Sequence, residues 1–157
     1  MIKFLLEDNL NKLAKWLRFL GYDSKLLKAV SKNKLASLAI KEKRIILTRA
    51  NKFKTNLKNI ELIKIDSEFY PEQLKELKPL IQFNKDKIFS RCSECNSKLH
   101  KINKTRIEEF IPKYIFHTQN EFKICRKCGK IYWQGSHYKK ILKKIKQILV
   151  NDESSQN

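Results

Sequence analysis

Four cysteines, the only ones in the chain, fall in two matched pairs: Cys92-Ser-Glu-Cys95 and Cys125-Arg-Lys-Cys128. Two thiolates three positions apart on a tight turn can meet one ion from the same side. A second such turn closes a tetrahedron with Zn–S distances of about 2.3 Å. The residue after the second cysteine of each turn is expected to be left-handed. Gly129 visits that region freely, and Asn96 is of the next most tolerant type. Lys98, Lys101, Lys123, Arg126, Lys127 and Lys130 flank the pairs and are expected to offset the thiolate charge. The spacing therefore predicts one structural zinc on Cys92, Cys95, Cys125 and Cys128. Four protein ligands leave no open position for catalysis.

The competing readings are two disulfides or a redox-active C-x-x-C. Disulfides need an oxidising compartment. The apolar run at residues 1–6 is too short for a signal peptide, and Glu7 and Asp8 follow it. No apolar stretch approaches the 18 or so residues of a membrane span. The expectation is a cytoplasmic protein without integral membrane association. Neither pair opens a helix in a thioredoxin-like context, which weakens the redox reading.

The zinc site divides the 157 residues. The expected organisation is a domain over 1–89, a zinc ribbon over 90–138, a basic amphipathic helix over 139–150 and a disordered tail over 151–157. The chain carries 35 Lys+Arg against 16 Asp+Glu, a formal net charge of +19. That excess favours a polyanionic partner: RNA first, with a ribosome or another RNA–protein complex as its setting. Compositional drift toward lysine is the bland alternative.

Before residue 90 the pattern alternates. Residues 2–6 read as a buried strand. Leu10, Leu13, Ala14, Leu17 and Leu20 follow at helical spacing, and Gly21 supplies the stop. Trp16 is expected in the core and Arg18 on the exposed face of that helix. Residues 26–30 form a weak second strand. A second helix around Leu35 and Leu38 takes Asn33 as its N-cap. Residues 44–48 and 60–65 are further strands, and Pro71 starts a third helix. Residues 82–90 read as a linker. This is an α/β chain with a mostly parallel sheet and flanking helices, followed by the ribbon.

In such a sheet the working residues lie beyond the carboxyl ends of the strands. Those ends carry Glu7-Asp8, Thr48-Arg49-Ala50 and Asp66-Ser67-Glu68. A metal-dependent nuclease needs several carboxylates there to hold Mg²⁺ or Mn²⁺. Arg49 is well placed for phosphate. After the second knuckle, Tyr132, Trp133, His137 and Tyr138 either cover the ribbon core or offer bases a stacking platform. Beyond them, Ile141, Leu142, Ile145, Ile148 and Leu149 make an apolar stripe among lysines. Docking back on the protein is the bland reading of that helix; RNA contact and attachment to an anionic membrane surface follow it.

Several motifs together resemble one family: Leu13-Ala-Lys-Trp-Leu-Arg-Phe-Leu-Gly-Tyr-Asp23, Arg44-Ile-Ile-Leu-Thr-Arg49, Arg91-Cys-Ser-Glu-Cys-Asn96 and Tyr132-Trp-Gln-Gly-Ser-His-Tyr138. The chain is similar to the Mut-seven C-terminal RNase domain family from about residue 2 to about residue 140. The resemblance implies a PIN-like fold followed by a zinc ribbon, RNA as substrate class and divalent-metal hydrolysis. It also implies an acid after the first strand, which Asp8 keeps. It implies an acidic pair at the start of the second helix, where this chain has Lys32-Asn33, and an acid at the position of Ala50.

Three functions from different classes follow. The first is RNA binding with weakened or lost ribonuclease activity, where Lys32, Arg49, Trp133, His137 and Tyr138 contact RNA and Asp8 is a residual acid. The second is an active Mg²⁺- or Mn²⁺-dependent endoribonuclease using Asp8 with Glu7 or Asp66, or Glu68 if the loops bring it near. The third is an adaptor whose zinc ribbon docks a protein.

Overall fold

The computed structural model describes residues 1–150, so the tail expected at 151–157 lies outside the described residues. Strand β1 (Lys3–Glu7) is central, and Phe4, Leu5 and Leu6 are fully buried, as a strand covered on both faces requires. Strands β2 (Asp23–Leu27), β3 (Ile45–Thr48) and β4 (Leu62–Lys64) complete a parallel sheet of order β2-β1-β3-β4. Leu5 pairs with Lys25 on one side and Ile46 on the other. The second strand thus begins at Asp23, ahead of the run expected at 26–30. It lies at the sheet edge, where hydropathy is a weak guide.

Alternation along β1 sends Phe4 and Leu6 to one face and Leu5 to the other. On the first face they pack with helix α1 (Asn11–Phe19), helix α3 (Tyr70–Glu76) and the long C-terminal helix. Leu5 and Ile46 pack with Leu35, Ala36 and Ala39 of α2 (Lys32–Glu42) on the second face. Ser31, not Asn33, caps α2: its Oγ accepts from the Lys34 N–H at 3.2 Å. Asn33 lies inside the first turn, and its amide oxygen instead accepts from Thr55 Oγ1 (2.7 Å) and the Asn56 N–H (3.1 Å).

Residues 82–90 are no free linker. Ile88 and Phe89 are buried in the first core, and the Phe89 N–H donates to the Phe19 carbonyl at 2.8 Å. Gly21 makes that approach feasible: its φ is +88°, and a Cβ there would collide with the Lys87 carbonyl.

The ribbon is a small antiparallel sheet of β5 (Leu99–Ile102), β6 (Phe122–Cys125) and β7 (Ile131–Trp133), in the order β5-β6-β7. Between β5 and β6 runs a segment with the short helix α4 (Lys113–Thr118). Ile107, Ile111 and Phe122 form its own small core, with Ile131 and Trp133 packed against them. Helix α5 (Ser136–Leu149) then returns to the first domain, burying Ile141, Ile145 and Ile148 against the α1 face. That is the docking expected from its apolar stripe. No helix among the described residues is long and apolar enough to cross a membrane.

Candidate functional site

The four cysteines converge. Their Sγ atoms all lie within 4.8 Å of one another, with Cys92–Cys128 at 3.6 Å and Cys95–Cys125 at 3.3 Å. A tetrahedron of Zn–S bonds of about 2.3 Å has edges of roughly 3.8 Å, so the set fits zinc closely. These distances far exceed a disulfide bond of about 2.05 Å, and all four thiols are free. Both knuckles share one turn. The Asn96 N–H donates to the Cys92 carbonyl at 3.0 Å, and the Gly129 N–H to the Cys125 carbonyl at 2.8 Å. Asn96 and Gly129 are left-handed, with φ of +67° and +75°. The bound ion would act as a cross-link between the two turns.

The thiols also perturb one another. Burial pushes Cys95 up, but hydrogen bonds from the Ser97 backbone and side chain and from Cys125 and Cys92 bring it down to about 6. Cys128 is driven the other way, to about 12: a hydrogen bond with the Lys130 backbone is outweighed by burial and the neighbouring thiols. A divalent cation would favour the thiolate form of all four.

Sequence reasoning missed a buried cation beside this centre. Arg18, expected on the exposed face of its helix, is only 4% exposed. Its NH1 donates to the Ser93 carbonyl (2.8 Å) and the Glu94 carbonyl (2.9 Å) between the first two cysteines, and its Nε to the Ser24 carbonyl (2.9 Å). Burial lowers its pKa, and the charges of Cys92 and Cys95 oppose that shift. Asn96 completes the seam. Its Oδ1 accepts from the Ser24 N–H (2.9 Å), and its Nδ2 donates to Asp23 Oδ1 (2.7 Å). Arg44 donates to the same carboxylate at 2.7 Å, and Arg91 lies 3.5 Å from its other oxygen. Although burial works against it, the Asp23 carboxyl is held below the usual carboxylate range by hydrogen bonds from Arg44 and Asn96, reinforced by the Arg44 and Arg91 charges. The first knuckle thereby caps the edge strand β2, whose outer groups would otherwise be open.

The carboxyl end of the parallel sheet is arranged differently. The Glu7 carboxylate accepts from the Lys32 ammonium on one oxygen and from the Thr48 hydroxyl on the other. Lys32 also lies over the Phe53 ring, 5.2 Å from its centroid. At the end of β3, the Ala50 N–H donates to Thr48 Oγ1 at 3.1 Å. Arg49 pairs with Glu68 at 3.0 Å, and Asp66 with Lys64 at 2.7 Å. Asp8 is exposed, with no side-chain partner among the described residues. Among the described residues, the four cysteines are the one group of three or more potential metal ligands that comes together. Glu7, Asp8, Asp66 and Glu68 do not form a second one, so this strand end does not fit Mg²⁺ or Mn²⁺ as a protein-built site. Lys32 and Arg49, both expected to meet phosphate, spend their charge on Glu7 and Glu68.

The aromatic residues after the second knuckle divide by role. Tyr138 packs on Phe89 with ring centroids 4.4 Å apart, and Trp133 packs against Phe122 at 6.4 Å. Tyr132 is tied to the first knuckle: its hydroxyl accepts from the Ser93 N–H at 3.1 Å. His137 is exposed. All four line a cleft of about 1100 Å³ between the ribbon sheet, α1 and the start of α5. The structure brings Trp133, His137 and Tyr138 to this cleft, while neither Lys32 nor Arg49 lines it. Lys101 and Lys123, expected to offset the thiolates, line it as well.

The family model described as Mut7-C RNAse domain matches residues 2–145. Neither the curated proteins nor the solved structures gave a match.

Proposed function

The chain belongs to the Mut7-C RNAse domain family, and from that premise we propose that it binds RNA and that its metal-dependent ribonuclease activity is weakened or lost. The observation that carries this reading is the Glu7–Lys32–Thr48 arrangement at the carboxyl end of the sheet. A carboxylate that could ligate a divalent cation there is already neutralised by an ammonium of the same chain. Each position at which the resemblance implied an acid that this chain lacks has been absorbed into local structure. Lys32 pairs with Glu7, Asn33 holds the loop at Thr55 and Asn56, and Ala50 contributes only its backbone N–H. One or two carboxylates hold Mg²⁺ only when substrate phosphates and water supply the rest. Losing groups that orient a metal costs about 10- to 100-fold each in affinity or activity. The net charge of +19 supports retained affinity for a polyanion.

A second reading, an active Mg²⁺- or Mn²⁺-dependent endoribonuclease, is favoured by the exposure of Asp8 and its lack of a side-chain partner among the described residues. One experiment separates the two. Labelled RNA is incubated with the zinc-loaded protein with and without Mn²⁺ or Mg²⁺, beside Asp8→Asn. The expected result is RNA binding, steeply weakened by salt, with no metal-dependent cleavage above that of Asp8→Asn. Metal-dependent cleavage that disappears in Asp8→Asn overturns the reading. Salt-insensitive or absent RNA binding points instead to the ribbon as a protein-docking module.

A further inference from the structure

We propose that the cleft between the ribbon sheet and α1 holds a short single-stranded segment of RNA, with Lys85, Lys101 and Lys139 on its phosphates; this rests on the RNA-binding reading above. Seven lysines and three acids line the cleft. Four of the lysines are already engaged. Lys15 and Lys130 share Glu94 at 3.2 and 3.1 Å. Lys12 lies over the Tyr70 ring at 4.8 Å, and Lys123 donates to the Phe89 carbonyl at 3.0 Å. Lys85, Lys101 and Lys139 are exposed and have no partner among the described residues. The other two acids, Asp86 and Glu121, leave the lining positive overall.

A second observation points the same way. Lys101 and Lys123 stand directly opposite each other across β5 and β6, with Tyr132 next in the row. Like charges in that position weaken an antiparallel pair. An anionic ligand over this wall reverses the penalty, and a phosphate chain supplies repeated anions at short intervals.

The aromatic content selects single strands. Tyr114 is 75% exposed and lines the cleft, and exposed His137 stands on the same lining. Unstacked bases can lie on such rings, whereas the stacked bases of an A-form duplex are not available to them. An acidic peptide would satisfy the lysines but leave Tyr114 without use.

The test is fluorescence anisotropy of a labelled oligouridine of about a dozen nucleotides on the zinc-loaded full chain across a salt series. Lys101→Gln with Lys139→Gln is compared with Lys41→Gln with Lys58→Gln, an exposed pair outside the cleft. Single-strand binding loses about 0.7 of log–log salt slope per phosphate contact. The cleft pair is therefore expected to flatten the slope by about 1.4 and the control pair to leave it unchanged. Tyr114→Ala is expected to weaken binding roughly tenfold with the slope intact. Equal effects of the two lysine pairs overturn the proposal. So does tighter binding of an RNA duplex of about 16 base pairs, or equal competition by polyglutamate. If the wild-type chain binds no RNA, the RNA-binding reading itself falls. If it binds and the cleft variants bind as well, only the cleft assignment falls.

Discussion

Replacing Arg18 by methionine tests how the two sheets are joined. Methionine keeps much of the side-chain volume but removes donors to three carbonyls, those of Ser24, Ser93 and Glu94. Each charged hydrogen bond contributes about 1.5–3 kcal/mol, and each carbonyl left buried and unpaired costs about 1–3 kcal/mol. Against this stands the relief of burying one cation fewer, which is often worth several kcal/mol. The carbonyls belong to the backbone and cannot be removed with their donor, so the loss outweighs the relief and the net cost is about 3 kcal/mol. For a chain of this size, each kcal/mol moves the melting temperature by roughly 2–4 °C. Thermal denaturation followed by circular dichroism on zinc-loaded protein should therefore show a drop of roughly 6–12 °C. A second readout separates clamp from packing. Arg18 places positive charge beside Cys92 and Cys95, so Arg18→Met should release zinc to a colorimetric chelator at least about tenfold faster. Arg18→Lys, which keeps the charge but not the fork, should recover the release rate better than the melting temperature. If Arg18→Met melts within about 2 °C of wild type and releases zinc at the wild-type rate, the clamp does not hold the knuckle.

Three further outcomes follow from the same structure. Cys125→Ser, or chelation of the wild type, should make the ribbon protease-sensitive, and zinc should restore resistance to the wild type alone; a resistant apo form would show that the cross-link is dispensable. Asp23 has a folded-state pKa below its unfolded value of about 3.9, so its contribution is present above that value and is lost as pH falls through the folded one. The stability gap between wild type and Asp23→Asn, from urea midpoints, should shrink below about pH 4; a gap that is constant with pH contradicts this. Ile145 is fully buried in the α5 contact, so Ile145→Ala should cost about 2–5 kcal/mol by chemical denaturation, and a cost under about 1 kcal/mol is incompatible with that docking.

Much of this architecture was legible in the sequence because it rests on short-range patterns. The C-x-x-C spacing, the residues Asn96 and Gly129, the apolar run of β1 and the stripe of α5 each act within a few positions. What could not be read was long-range polar pairing. Arg18 looks like an ordinary exposed helix residue because two of its three partners lie 75 and 76 positions away. Asn33 sits beside a better cap, Ser31, and its own bonds run to residues 55 and 56. Residues 82–90 are polar enough to read as a linker, yet Ile88 and Phe89 close the core over α1. Lys101 and Lys123 are spaced like charges near a metal, and only the β5–β6 register shows them side by side on one wall of a cleft. Tyr114 carries no local signal at all; its exposure follows from the path of the ribbon segment around α4.

Among the residues that carry the family resemblance, Arg18 and Asn96 join the two sheets, and the others fix the structure on either side of that joint. Arg18 grips the first knuckle, and Gly21 admits the Lys87 carbonyl. The Tyr22 hydroxyl accepts from the Gln82 N–H at 2.8 Å. Asp23 is held by Arg44 and Asn96, and Tyr132 meets Ser93. None of these groups needs a divalent cation at the carboxyl end of the parallel sheet. A chain can therefore keep the whole seam while Lys32 pairs with Glu7 at that end. The reverse dependence is strict. The cleft has α1 as one wall and the ribbon as the other, and Arg18, Asn96 and the four cysteines fix the distance between them. Loss of the zinc or of Arg18 should therefore weaken RNA binding without touching a single cleft lysine, whereas Lys32→Ala should leave it unchanged. That contrast separates a binding surface built at the seam from one built at the carboxyl end of the parallel sheet.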